Sequence, residues 1–233
     1  MISYKIHNPH GYRAEDPRFG LSGEELKNYY LSQPTQFYVK CIYKQESKNS
    51  LTQASSAHEL NIKLLLNDIQ FVGPLLSEDN DTEIGMMYIM NMPNRNSVEA
   101  FLKKDECYKL GLIEKIEIYR FINSKKHRFG DRSPDTQMQL FVCECLDKKN
   151  ISDLRSKTSE AHHNYQGQII NNYFAHGPLR SDDGVNLIGS LFIIEVENMK
   201  AAKKLVASEP FTKAGVFKTT TITGWRYSHF LKS

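Results

Sequence analysis

No stretch of this 233-residue chain approaches the ~20 consecutive apolar residues a membrane-spanning helix needs, so no membrane span is expected. Cysteine is scarce: Cys41, Cys107, Cys143 and Cys145, none in a CxxC pair. That excludes a disulfide-stapled scaffold, and buried free thiols in a reducing compartment are expected. An excess of one charge is lacking too. Thirty Lys+Arg against 27 Asp+Glu leave a net +3, dispersed along the chain, with no specific nucleic-acid signal. The first twenty residues hold no apolar signal-peptide core, and Glu15 and Asp16 among the arginines make a poor transit sequence. An intracellular soluble setting follows, cytoplasm and mitochondrial matrix being equally compatible. GxGxxG, P-loop, GxSxG and HExxH patterns are absent, so nucleotide-phosphate, serine-hydrolase and zincin chemistry lack support. Neither an organic cofactor nor a metal is expected.

What the chain does have is an internal repeat. A shift of 104 residues lays the segment from Phe37 onto the segment from Phe141 without a gap. Cys41 meets Cys145, and Ser55-x-Ala57-His58 meets Ser159-x-Ala161-His162. Gly73-Pro74-Leu75-x-Ser77-x-Asp79 meets Gly177-Pro178-Leu179-x-Ser181-x-Asp183, and Lys109-x-Gly111 meets Lys213-x-Gly215. A constant offset through elements and loops alike marks a duplication.

Each copy reads β-α-β-β-α-β. In the second, strands are expected at Met138–Leu146, ending at Gly177-Pro178, at Leu187–Val196 and at Lys218–Trp225. A helix capped by Thr158 or Ser159 runs to about Asn171, and Asn198 caps another. The first copy gives Gln36–Tyr43, a helix at Ser55–Asn67, Phe71–Leu75, Glu83–Asn91, a helix at Asn96–Lys104 and Glu114–Phe121. The fold class is therefore α+β: two ferredoxin-like repeats, each with one sheet face left apolar. Two such faces in one chain bury each other, giving an intramolecular pseudo-dimeric barrel. The organisation is an N-terminal extension (1–35) with a short helix at Ser22–Tyr30, a degenerate first repeat (36–122), a polar linker (123–136) and a better-preserved second repeat (137–229).

The second repeat carries Ala161-His162, Ala175-x-Gly177-Pro178-Leu179, Gly189-Ser190 and Glu209-Pro210-Phe211-x-x-Ala214-Gly215-Val216. In these motifs it resembles the YCII (YciI-like) family of the dimeric α+β barrel superfamily. The first repeat resembles it more weakly, with Asp105-Glu106-Cys107 in place of an acid–Pro–aromatic triplet. The resemblance implies a pocket between helix and sheet and a His–Asp pair. Carried over, these are His162 and Asp147, with His176 and Ser190 in the pocket. The first repeat keeps His58 but has Tyr43 where the acid would stand. A carboxylate on one imidazole nitrogen fixes the tautomer and leaves the other to move a proton. One activity known in that family is cofactor-free elimination of HCl from a chlorinated ring-derived compound.

Bland readings compete. His176, opposite Val72, suits a packed histidine, and Asp182-Asp183-Gly184 suits a tight turn. Cys143-x-Cys145 suits core packing, and the Lys125–Arg128 run suits a solvated connector. Two functions stay open. One is a lyase- or isomerase-type protein acting on a small organic molecule through His162 and Asp147. The other is a non-catalytic accessory subunit of a larger protein assembly, a mitochondrial one among the candidates. It would dock through the N-terminal extension with its Tyr12, Arg13, Arg18 and Phe19.

Overall fold

The structure, a computed structural model, describes residue 14 and residues 17–32, 35–79, 81–124 and 136–227. Tyr12, Arg13 and the Lys125–Arg128 run lie outside the described residues. In the first repeat the strands are β1 (Gln36–Tyr43), β2 (Ile69–Leu76), β3 (Glu83–Asn91) and β4 (Ile113–Phe121). In the second they are β5 (Gln139–Asp147), β6 (Tyr173–Arg180), β7 (Leu187–Val196) and β8 (Phe217–Trp225). Helix α1 (Gly23–Ser32) precedes them, burying Leu26. The first repeat adds α2 (Lys48–Lys63), α3 (Arg95–Lys104) and the single turn α4 (Glu106–Lys109); the second adds α5 (Ser152–Gln168), α6 (Met199–Ser208) and α7 (Pro210–Lys213).

Period-two patterning decides what each strand buries. On β1, Phe37, Val39, Cys41 and Tyr43 pack under the helices, while Tyr38 and Ile42 face the barrel interior. On β5, Phe141, Cys143 and Cys145 join the helix layer, and Leu140, Val142 and Leu146 the interior. Burying each large apolar side chain contributes about 1.5–3 kcal/mol. Both strand faces are therefore apolar, and the helices cover one of them.

The strand order is β4-β1-β3-β2 in one repeat and β8-β5-β7-β6 in the other, antiparallel throughout. The two sheets do more than stack. Their edges hydrogen-bond at two seams and close a single eight-stranded barrel, which leaves no open sheet edge. The seams are pseudo-symmetric: Leu75 faces Trp225 at one, and its counterpart Leu179 faces Phe121 at the other. Among the described residues no helix is long and apolar enough to cross a membrane.

Several local expectations shift. Gly177-Pro178 does not end its strand; it lies inside β6, as Gly73-Pro74 lies inside β2. The strands run on because the seam draws them past the proline. A Cβ on Gly177 would lie 1.8 Å from the Ile122 carbonyl oxygen, so only glycine admits that neighbour. Helix α5 starts at Ser152 rather than at Thr158 or Ser159, and Thr158 Oγ1 instead donates back to the Leu154 carbonyl at 2.8 Å. Helix α2 likewise starts at Lys48, ahead of Ser55. Helix α3 starts at Arg95, one residue ahead of Asn96, and is capped by Asn94, while Asn198 caps α6 as expected; their side chains accept from Ser97 N and Ala201 N. Asp183 accepts from Ser181 Oγ and Val185 N, and Gly184 has φ +76°, so Asp182-Asp183-Gly184 is a tight turn.

Candidate active site

Helix α5 places Arg155, His162 and Gln166 on one face, against β5, β6 and β7. All three are buried, as are His176 on β6, Ser190 on β7 and Glu209 ahead of α7. A buried carboxylate such as Glu209, 1% exposed, needs partners on both oxygens. It has them. Oε2 accepts from Thr212 N at 3.0 Å, capping α7, and Oε1 lies 2.5 Å from His162 Nδ1. The cap therefore doubles as the group that orients the imidazole. With Nδ1–H donating to Glu209, the lone pair is on Nε2. The ring also stacks on Phe211, centroids 4.0 Å apart at 22°.

The His162–Asp147 pair implied by the resemblance does not form. Asp147 instead takes both of its oxygens to Arg155 Nη1, at 2.7 and 2.8 Å. Arg155 Nη2 donates to Ser190 Oγ at 2.7 Å, and its guanidinium carbon lies 4.4 Å from the Phe211 ring centre. The reason is the early start of α5. Arg155 sits in its first turn, directly over the end of β5, and a guanidinium meeting both oxygens is the better partner for a buried carboxylate. Burial pushes the Asp147 carboxyl above its ordinary range, and Arg155 opposes that rise. A Cβ on Gly189 would lie 2.3 Å from the Cys145 carbonyl oxygen, so glycine is required beside Ser190.

His176 on β6 faces Gln166, which lies one turn of α5 beyond His162. Its Nδ1 is 3.4 Å from Gln166 Nε2, and its ring is 4.7 Å from that of Tyr173. It packs between α5 and the sheet.

The first repeat also holds a His–acid pair, contrary to the expectation that His58 lacks one. His58 Nδ1 lies 2.8 Å from Asp105 Oδ2, across the same 47-residue separation as His162 and Glu209. Asn61 Nδ2 donates to the same oxygen at 3.0 Å, and Asp105 Oδ1 caps α4 by accepting from Cys107 N. Tyr43 is buried and takes no part in the pair. The polar trio Asp147, Arg155 and Ser190 corresponds, 104 residues earlier, to Tyr43, Leu51 and Met86. Only the second repeat therefore carries the ionic layer beneath its histidine. A cavity of about 330 Å³ lies in the first repeat, between α2 and α3, lined by Asn61, Leu64, Leu65, Met92, Phe101 and Lys104 among others.

The sequence offered Glu209 only as part of a family motif, with no role at the histidine, and gave no sign of Arg155 or Gln166. The signal for Glu209 was available: an acid stands at 105 and at 209, with a histidine 47 residues before each.

The second repeat has relatives among known proteins. Residues 139–226 match the YCII-related domain family. This YCII-related segment spans β5 to β8 and contains every residue of the second-repeat site. A mutant chlorite dismutase from Candidatus Nitrospira defluvii superposes with a TM-score of 0.58 at 10% identity, over 88% of this chain and 97% of its own. A heme-binding protein from Thermus thermophilus gives 0.54 at 8%, over 85% and 93%. At such identities the likeness is one of fold, a two-repeat α+β barrel. The 5-chloro-2-hydroxyhydroquinone dehydrochlorinase of Burkholderia phenoliruptrix AC1100 is 28% identical over 37% of this chain and 93% of its own, with a TM-score of 0.34. No curated protein gives a significant match.

Proposed function

We propose that the protein is a cofactor-independent proton-transfer enzyme of lyase or isomerase type, acting on a small organic molecule at His162. The carrying observation is the buried His162–Glu209 pair within the YCII-related repeat. Glu209 orients the ring through Nδ1, Phe211 holds its face, and Nε2 takes the substrate proton. Contrast with the first repeat supports this choice of site: His58 Nε2 is buried without a partner, whereas His162 Nε2 is not enclosed in that way. Asp147 acts one step removed, fixing Arg155 against Phe211. A base working without a metal suits substrates that are already acidic, such as hydroxyquinones or β-dicarbonyl acids.

The test is solvent deuterium incorporation into such compounds, followed by NMR with the full-length protein. Wild type should accelerate exchange and His162→Gln should not, at equal fold content. Equal rates for the two proteins, or no acceleration by folded wild type across the set, would end the reading.

A second reading, a non-catalytic subunit of a larger assembly, draws on a different observation. Leu60 of α2 and Leu64, which caps its C-terminus, are 61% and 74% exposed, and Leu64 lines the cavity of the first repeat. Native size in a gentle lysate tests it: quantitative migration with a large complex supports this reading, and a free species at monomer or dimer size rejects it.

A further inference from the structure

His58, Asp105 and Cys107 bring three metal-ligating side chains together in the first repeat, with one ligand atom of each within 4.8 Å of the others. All three are buried, at 8%, 2% and 2% exposure. The second repeat has the histidine and the acid but Phe211 in place of the cysteine, so a third ligand is peculiar to the first. The ring nitrogen that faces the acid is Nδ1, 2.8 Å from Asp105 Oδ2, so an ion shared by the two replaces that hydrogen bond and the ring proton moves to Nε2.

We propose that His58, Asp105 and Cys107 bind a divalent, late first-row transition-metal ion of the zinc class. Imidazole, thiolate and one carboxylate form a borderline-to-soft donor set, which suits zinc and disfavours calcium or magnesium. Charge agrees. A carboxylate and a thiolate together neutralise a 2+ ion, so the loaded site carries no net charge inside an apolar layer that includes Tyr43, Cys41 and Leu112. Binding displaces one proton, from the Cys107 thiol to solvent, and no redox partner is needed. Outer-shell support is in place, because Asn61 Nδ2 donates to Asp105. Asn61 also lines the open cavity between α2 and α3, which gives the ion a route from solvent. The site is separate from His162 and does not depend on the activity proposed above.

The test is titration of the reduced full-length protein with Co²⁺, and then with Zn²⁺ in competition. One Co²⁺ per chain should bind with a thiolate-to-metal charge-transfer band, and one equivalent of Zn²⁺ should displace it. Cys107→Phe installs the residue that the second repeat uses; Cys107→Ser is the conservative alternative should the first variant fail to fold. A folded variant should lose the band and weaken binding by at least the ~100-fold that loss of an outer-shell partner alone can cost. His162→Gln should bind as wild type does. Folded wild type that takes up no Co²⁺, a cobalt complex without the thiolate band, or a band that survives in the folded cysteine variant would each overturn the assignment.

Discussion

Lys40 and Glu144 occupy the same position in the two repeats, 104 residues apart, and their side chains meet inside the barrel with Nζ 2.9 Å from both carboxylate oxygens. Duplication would have placed one residue type at both points, facing itself across the pseudo-two-fold. Here they are opposite charges. Glu117 completes the group, 2.6 Å from the same Nζ. In the second repeat its position is Thr221, so the ionic cluster is asymmetric as well as complementary.

Stability should show that dependence. Lys40, Glu144 and Glu117 have side chains only 12%, 5% and 14% exposed. Lys40→Met leaves the buried Glu144 without its cation and Glu117 with Lys115 alone, and should lower unfolding free energy by about 3–5 kcal/mol in urea titration. Adding Glu117→Gln and Glu144→Gln should recover most of that loss. A triple variant no more stable than the single one would show that the charges are not coupled.

Acid should act through Glu117. Burial alone would raise its carboxyl, but the hydrogen bonds and charges of Lys40 and Lys115 outweigh it and hold the group below its usual range. A depressed folded value means the contribution is fully present above the unfolded value of about 4.3 and is lost as pH falls through the folded one. Wild type should therefore lose stability more steeply than Glu117→Gln below about pH 4.3. Parallel urea midpoints for the two proteins from about pH 6 to about pH 3 would refute this.

Turnover should separate the two acids near His162. If Glu209 orients the ring, Glu209→Gln should reduce kcat by about 100-fold or more with KM little changed. Asp147→Asn acts only through Arg155 and should cost less. A larger loss for Asp147→Asn would restore the pairing that the sequence resemblance implied.

The ionic layer of the second repeat should be exchangeable for the apolar layer of the first. Arg155→Leu strands the Asp147 carboxylate and should destabilise by about 3–5 kcal/mol. The triple variant Asp147→Tyr, Arg155→Leu, Ser190→Met copies Tyr43, Leu51 and Met86, a set already packed in the same setting, and should regain most of it. Thermal unfolding of the two variants makes the comparison.

Thiol chemistry gives a last check. All four cysteines are free and buried. Burial pushes the thiols of Cys41 and Cys145 up to about 12, and raises that of Cys143 well above its ordinary value. At about pH 8 an aromatic disulfide reagent should label none in the native protein and all four in guanidinium. Rapid labelling of a native thiol would contradict the burial.

Much of the architecture was legible before any coordinates. The 104-residue offset and the alternation along β1, β3, β5 and β7 are properties of neighbours in sequence, and backbone geometry turns them directly into strands with two distinct faces. Asn198 could be read as a cap for the same reason, since a cap bonds within three residues. The start of α5 could not. Ser152 follows no side-chain cap, and the contact that fixes the first turn is the Arg155–Asp147 pair.

By itself, then, the sequence determined two β-α-β-β-α-β units with apolar faces, because periods of about 2 and 3.6 residues and local hydrogen bonds suffice for that. Only the tertiary structure decided which strand edges hydrogen-bond to close the expected barrel, that Lys40 meets Glu144, and that His162 takes Glu209 while Asp147 goes to Arg155. Those partners lie 8 to 104 residues apart. Which of two acids reaches a histidine depends on where a helix begins and which turn packs across it, and no local pattern encodes that choice.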